Sequence, residues 1–150
     1  MKSWRCATSK SANTIRIGLA ALWWGSLTTV GFMVVPLLFA NLPTPAMAGG
    51  MAAKLFSAET WVSAVCGLLL LLISRRNQPL APESSAQAAI VFIVTGMLLA
   101  MLSEFAISPR ILARENLKLW HTVGSAMYLL QWVCAGVVLG KFAGAASGKV

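Results

Sequence analysis

Five side chains set the chemistry this sequence could perform. Glu59, Glu104 and His121 lie inside or at the ends of apolar runs, and Ser125 and Tyr128 follow His121 at helical spacing. Ionisable residues within such runs are costly and mark functional sites by default. Glu59, Ser63 and Gly67 fall on one helical line, as do Gly96, Ala100 and Glu104. Residues four apart share a helix face. Both carboxylates are therefore expected to face neighbouring helices, with His121, Gly124, Ser125 and Tyr128 on a face of their own and Gln131 at its edge. Two carboxylates and an imidazole are competent to bind a divalent ion. Met97 and Met101 at i, i+4 would add thioethers suited to Cu(I). Met47 and Met51 repeat the spacing, although methionine also fills irregular apolar gaps. The alternative is a structural cluster in which Glu59 pairs with Lys54 or Arg114. No nucleophile–base pair is evident, since the single His and the absence of Asp leave no Ser-His-Asp set. A haem would need His121 plus a methionine, or a dimer.

The elements that must position these residues follow from composition. Of 150 residues, 58% are hydrophobic and 11% are charged, against about 25% charged in soluble domains. This excludes a soluble globular enzyme and a disordered chain. The net charge of +8 comes from 12 Lys and Arg against 4 acids. Without a basic stripe interleaved with aromatics it does not point to nucleic acid. Cys6, Cys66 and Cys134 form no CxxC or Cys/His cluster.

Four apolar segments stand out: Ile17–Phe39, Leu55–Ile73, Ala86–Ser103 (running on towards Ile107) and Leu119–Leu139. Each approaches the roughly 20 residues of a spanning helix. Their continuity excludes a β-barrel, whose strands alternate. The reading is one all-α transmembrane domain over 1–150, a four-helix bundle with spans at about 17–39, 55–73, 86–105 and 119–139 after a basic tail, 1–16. Ala46-Met47-Ala48 imitates a signal-cleavage site. The preceding run is longer than the about 7–15 residues of a signal core, so a retained span is expected.

Punctuation refines the boundaries. Pro36 is expected to kink or fray the first helix. Thr44 is a candidate N-cap with Pro45 at the first helical position. Arg75-Arg76-Asn77-Gln78-Pro79 closes the second helix, Ser84 or Ser85 caps the third, Pro109 ends it, and Gly140 is able to end the fourth. The Arg110–Lys118 stretch suits a short interfacial helix. With the amino terminus inside, eight Lys and Arg fall inside and four outside, which puts both termini in the cytoplasm. Trp61 and Trp120 suit the outer aromatic belt, and Trp23 and Trp24 the inner one. Small residues at four-residue spacing predict close helix packing at Gly25, Gly67, Gly96, Gly136 and Gly140. The Gly136–Gly140 line also offers a homodimer seam.

Particular residues carry a resemblance. Leu22-Trp23-Trp24-Gly25-Ser26-Leu27, Gly31-Phe32 and Pro36-Leu37-Leu38-Phe39-Ala40 resemble the opening of the transmembrane-protein-205-like domain. That family comprises small four-helix membrane proteins of unknown function, of the DUF4149 type. Ala48-Gly49 with Lys54-Leu55-Phe56 is similar to its AG…LF stretch. His121, Ser125 and Tyr128-Leu129 resemble its H…S…YL pattern. A looser similarity to copper-resistance-protein-D-like membrane proteins implies copper or haem as cofactor classes. The leading expectation is a bacterial inner-membrane protein that is not an enzyme. It would act in the lipid bilayer by helix packing with itself or a membrane partner. Metal handling through Glu59, Glu104, His121, Met97 and Met101 is the alternative, and a haem-associated oxidoreductase the third reading.

Overall fold

The computed structural model describes residues 3–76, 84–113 and 116–147. These form α1 (Ser3–Thr29), a π-helical turn (Val30–Val34), α2 (Val35–Asn41), α3 (Pro45–Arg76), α4 (Ser84–Leu102), a second π-helical turn (Ser103–Ile107), α5 (Ser108–Leu112) and α6 (Leu117–Ser147). No strand occurs among the described residues. The chain makes four spans long and apolar enough to cross a membrane: Ser11–Asn41, Pro45–Arg75, Gln87–Leu112 and Leu117–Ala145. Helices are the form such a chain must take in lipid, where each backbone group needs a partner within its own segment.

The four spans form a closed square. α1 packs on α3, α3 on α4, α4 on α6, and α6 returns to α1. The burial pattern is inverted relative to a water-soluble protein. Leu22, Phe32, Met33, Trp61, Leu68, Val91, Leu98, Phe105, Leu130 and Val133 are all exposed on the outside. Glu59, Thr60, Ser63 and Gln131 are buried inside. An apolar surface this continuous fits a hydrocarbon surround.

The helix ends differ from several expectations. Thr44 accepts a hydrogen bond from the Met47 amide (3.3 Å), so α3 starts at Pro45 with the expected cap. The stretch before Ile17 is helical from Ser3 and continues α1. Pro109 does not end the third span, and Gly140 does not end the fourth. α5 carries the chain past Pro109 to Leu112, and α6 runs to Ser147. Glycine ends a helix only where the chain must turn, and the α6 backbone finds no better partners than its own carbonyls. Within Arg110–Lys118, residues 110–112 belong to α5 and 117–118 to α6. Arg114 and Glu115 lie outside the described residues, as do Lys2, Asn77-Gln78-Pro79, Gly148 and Lys149.

Both interior prolines are absorbed in the same way. Each π turn ends two residues before a proline, Pro36 or Pro109. The residue before the proline donates its amide five residues back, Val35 to Val30 and Ser108 to Ser103. A proline ring in an α-helix collides with the carbonyl four residues earlier and supplies no N–H. The wider turn moves that carbonyl aside and lets the helix continue.

Glycines set the separations between spans. A Cβ at Gly96 would meet the Trp23 ring at 2.8 Å, and one at Gly136 would meet Trp24 Nε1 at 3.0 Å. At Gly67 a Cβ would run into the Met97 side chain. Gly25 and Gly140 differ from expectation: nothing lies within 4 Å of a Cβ at either. We therefore expect Gly96→Ala to lower unfolding free energy by about 1–3 kcal/mol through overpacking. Gly140→Ala should leave it unchanged or slightly raised. Detergent-titrated unfolding monitored by circular dichroism distinguishes the two.

Candidate functional site

Polar side chains gather in two connected layers of the bundle. At its centre Trp23 and Ser63 are fully buried, and Gln131 is 3% exposed. Trp23 Nε1 donates to Ser63 Oγ (2.9 Å), and Gln131 Nε2 donates to the same oxygen (2.9 Å). Gly96 lies against the far side of the Trp23 ring. One hydroxyl on the second span thus ties the first and fourth together, while the third closes the layer with a bare backbone. Tryptophan's N–H usually needs a partner when buried, and here it has one.

The next layer lies towards the 42–44 turn. The Ser26 hydroxyl is 2.9 Å from Glu59 Oε1 and 2.9 Å from the Trp23 carbonyl. Tyr128 donates its hydroxyl proton to the Leu27 carbonyl (2.7 Å), and the Gly31 amide points to the phenol oxygen. In an unbroken α-helix the Gly31 amide would bond the Leu27 carbonyl directly. The phenol therefore inserts into that rung at the start of the first π turn, one of the recognised causes of a helix irregularity. Gly31 permits it, since a Cβ there would collide with the Tyr128 ring. Phe56 stacks edge-on against Tyr128, ring centres 5.2 Å apart. Trp132 Nε1 donates to Thr28 Oγ1 (2.8 Å) and its ring lies 5.6 Å from Trp24.

Glu104 occupies a separate place. It is the second residue of the second π turn and accepts a hydrogen bond from Ser57 Oγ (2.6 Å). It lines an open groove of about 620 Å³ between the second and third spans, with Gly50, Ala53, Lys54, Ser57, Phe105, Ser108, Pro109 and Leu112.

The residues singled out from sequence thus separate. Glu59 and Tyr128 face the interior of the bundle, Glu104 faces the groove, and His121 and Ser125 are exposed. Among the described residues Glu59 forms no ion pair, with Lys54 or any other cation. Lys54 sits five residues earlier on the same helix, about 140° around it at 100° per residue, and points elsewhere. Arg114, the other partner considered, lies outside the described residues. Trp23 is a core residue rather than a belt residue. Trp61 is 62% exposed, and Trp120 lies beneath the Arg110 guanidinium, 4.4 Å from its ring centre.

Among the described residues no three His, Cys, Asp or Glu side chains could share a metal ion. Met97 packs on Gly67 and the core, away from His121. The free Cys66 and Cys134 are buried as small apolar residues.

Ser26, Thr28, Ser57 and Trp132 are the partners that the residue pattern did not single out. Hydroxyls within apolar runs, Ser26 and Ser57 among them, were the available signal, but only inter-helix register decides which acid each meets.

With this geometry established, comparison adds a family. A model described as "Domain of unknown function (DUF4149)" matches residues 18–119, about two thirds of the chain. The chain belongs to this family. No curated protein and no solved structure matches it. The matched residues include the opening pattern, whose members do recognisable work in this DUF4149 chain. Trp24 fills the space over Gly136, Pro36 follows the first π turn, Ala48 is fully buried and Phe56 stacks on Tyr128. Phe39 is half exposed, and Gly49 has open space where a Cβ would be. His121, Ser125 and Tyr128 lie beyond the matched residues.

If Ser63 Oγ is the shared acceptor, its loss leaves two donors stranded together. Ser63→Ala and Gln131→Leu should each destabilise the bundle by about 1 kcal/mol, the upper range for interhelical hydrogen bonds in membranes. The double variant should cost clearly less than their sum, which a double-mutant cycle of detergent unfolding reads directly. Strict additivity would show that the two side chains act independently.

Proposed function

We propose that this is a non-enzymatic membrane protein that acts by packing against a second copy of itself or a membrane partner. The observation that carries this reading is how the interior polar groups are used. Trp23, Ser63, Gln131, Ser26, Glu59, Tyr128, Thr28 and Trp132 are engaged with one another or with backbone carbonyls. They hold the spans in register, and among the described residues no three His, Cys, Asp or Glu side chains could share a metal ion. The fourth span also carries an unpartnered line of small residues, with Gly140 and Gly144 open on its outer side. Small residues let helix backbones approach closely in lipid, so a partner helix would seat there.

The placement proposed is the bacterial inner membrane with both termini in the cytoplasm. The excess of Lys and Arg near the termini and Arg75-Arg76 supports it. Kinship with the transmembrane-protein-205-like proteins is part of the same reading and rests on the residues between Leu22 and Phe56.

Gly140→Leu should disrupt self-association while leaving the fold intact, since nothing inside the bundle touches that position. The measurement is size-exclusion chromatography with light scattering in mild detergent, paired with cross-linking in membranes. A variant and wild type with the same mass and the same cross-linked partners would remove the α6 seam.

A further inference from the structure

The groove beside Glu104 carries a chemistry that the interior of the bundle does not. It brings one cation and one carboxylate, Lys54 and Glu104, to opposite walls of a cleft with a second hydroxyl at Ser108. Its remaining wall is apolar and outward-facing, with Phe105 66% and Leu112 64% exposed.

The level of this groove in a bilayer follows from the far end of the bundle. Arg16 donates to the Ile73 carbonyl (2.9 Å), and its guanidinium lies 5.9 Å from the Phe142 ring centre. The first, second and fourth spans therefore share one polar boundary there. From Ile73 back to Lys54 is roughly 28 Å at about 1.5 Å per residue, close to the about 30 Å of the hydrocarbon core. Lys54 thus stands at the opposite boundary. Ser57, which holds Glu104, is one turn deeper. Trp120, beneath Arg110, falls just outside the same boundary on the fourth span, as belt residues do.

We propose that this groove binds the headgroup of a phospholipid bearing a primary ammonium, a phosphoethanolamine. The phosphate meets Lys54, the ammonium donates to the Glu104 oxygen that Ser57 leaves free, and an acyl chain follows the Phe105 wall. A zwitterion matches the paired charges of the groove. An anionic headgroup leaves Glu104 facing negative charge. A quaternary ammonium has no proton to donate to a carboxylate. The small lining residues Gly50 and Ala53 leave room for a headgroup between the spans. The α6 seam is on a different helix, so this site stands or falls separately from it.

Native mass spectrometry of the intact protein in detergent, with equal amounts of phosphatidylethanolamine, phosphatidylcholine and phosphatidylglycerol, tests the assignment. Wild type should retain phosphatidylethanolamine about tenfold over the other two, the worth of one charge-assisted hydrogen bond. Glu104→Gln should erase the preference over phosphatidylcholine, and Lys54→Gln should weaken retention of all three lipids. Equal retention of the three lipids by wild type would overturn the proposal. So would a preference unchanged in a folded Glu104→Gln protein. If either variant fails to fold, the wild-type competition alone decides.

Discussion

A buried donor in a bilayer has no water to turn to, and the Ser63 hydroxyl is where this constraint is resolved. The indole of Trp23 and the amide of Gln131 approach from different spans and end on one oxygen. A single acceptor shared in this way fixes the rotation of three helices at once, because moving any of them strands a donor. The third span contributes by having no side chain at Gly96, which lets the Trp23 ring come against its backbone. Each bond is modest in lipid, since the separated helices also find polar partners. The specificity comes from convergence rather than from the strength of any one contact.

The prolines impose a second constraint, and it is met next to the polar residues. Pro36 and Pro109 would each break a helix in the span where breaking is least affordable. Both are preceded by a π turn that shifts the hydrogen-bond register by one residue. The wider turn loosens the local backbone ladder, and a side chain occupies the opening in the first case. Tyr128 reaches from the fourth span to the Leu27 carbonyl, and Gly31 makes way for its ring. In the second turn Glu104 meets Ser57 of the neighbouring span. Proline accommodation and inter-helix tethering are thus one device used twice, in the first span and in the third.

The four spans were legible because uninterrupted apolar runs of this length have few other fates, and the Thr44–Pro45 start was legible because capping is local. The ends at Pro109 and Gly140 were misread because those residues terminate helices mainly when solvent offers the backbone an alternative. The sharing of a face by Glu59, Ser63 and Gly67 followed from helical period, and all three do face inward. Which partner each meets did not follow. Periodicity gives the rotation of a residue about its own helix and is silent about the vertical offset of the next one. That offset sends Glu59 to Ser26 and Glu104 to Ser57, and leaves His121 two turns beyond Tyr128 on the exposed part of α6. The same offset separates Met97, packed on Gly67, from His121.

The glycines show the same limit from the other side. Five small-residue positions looked equivalent in sequence, yet Gly67, Gly96 and Gly136 are filled by Met97, Trp23 and Trp24, whereas Gly25 and Gly140 face open space. A glycine used for internal packing sits opposite a large side chain that would otherwise clash. A glycine left without such a counterpart gains nothing from the bundle and forgoes helix propensity relative to alanine. Gly140 is therefore either tolerated at a small cost or retained because something outside the chain lies against it. The bundle itself supplies no reason to keep it. That asymmetry separates the inner face of α6, explained by Trp24 and Gly96, from its outer face, where a second helix is the partner that small residues would admit.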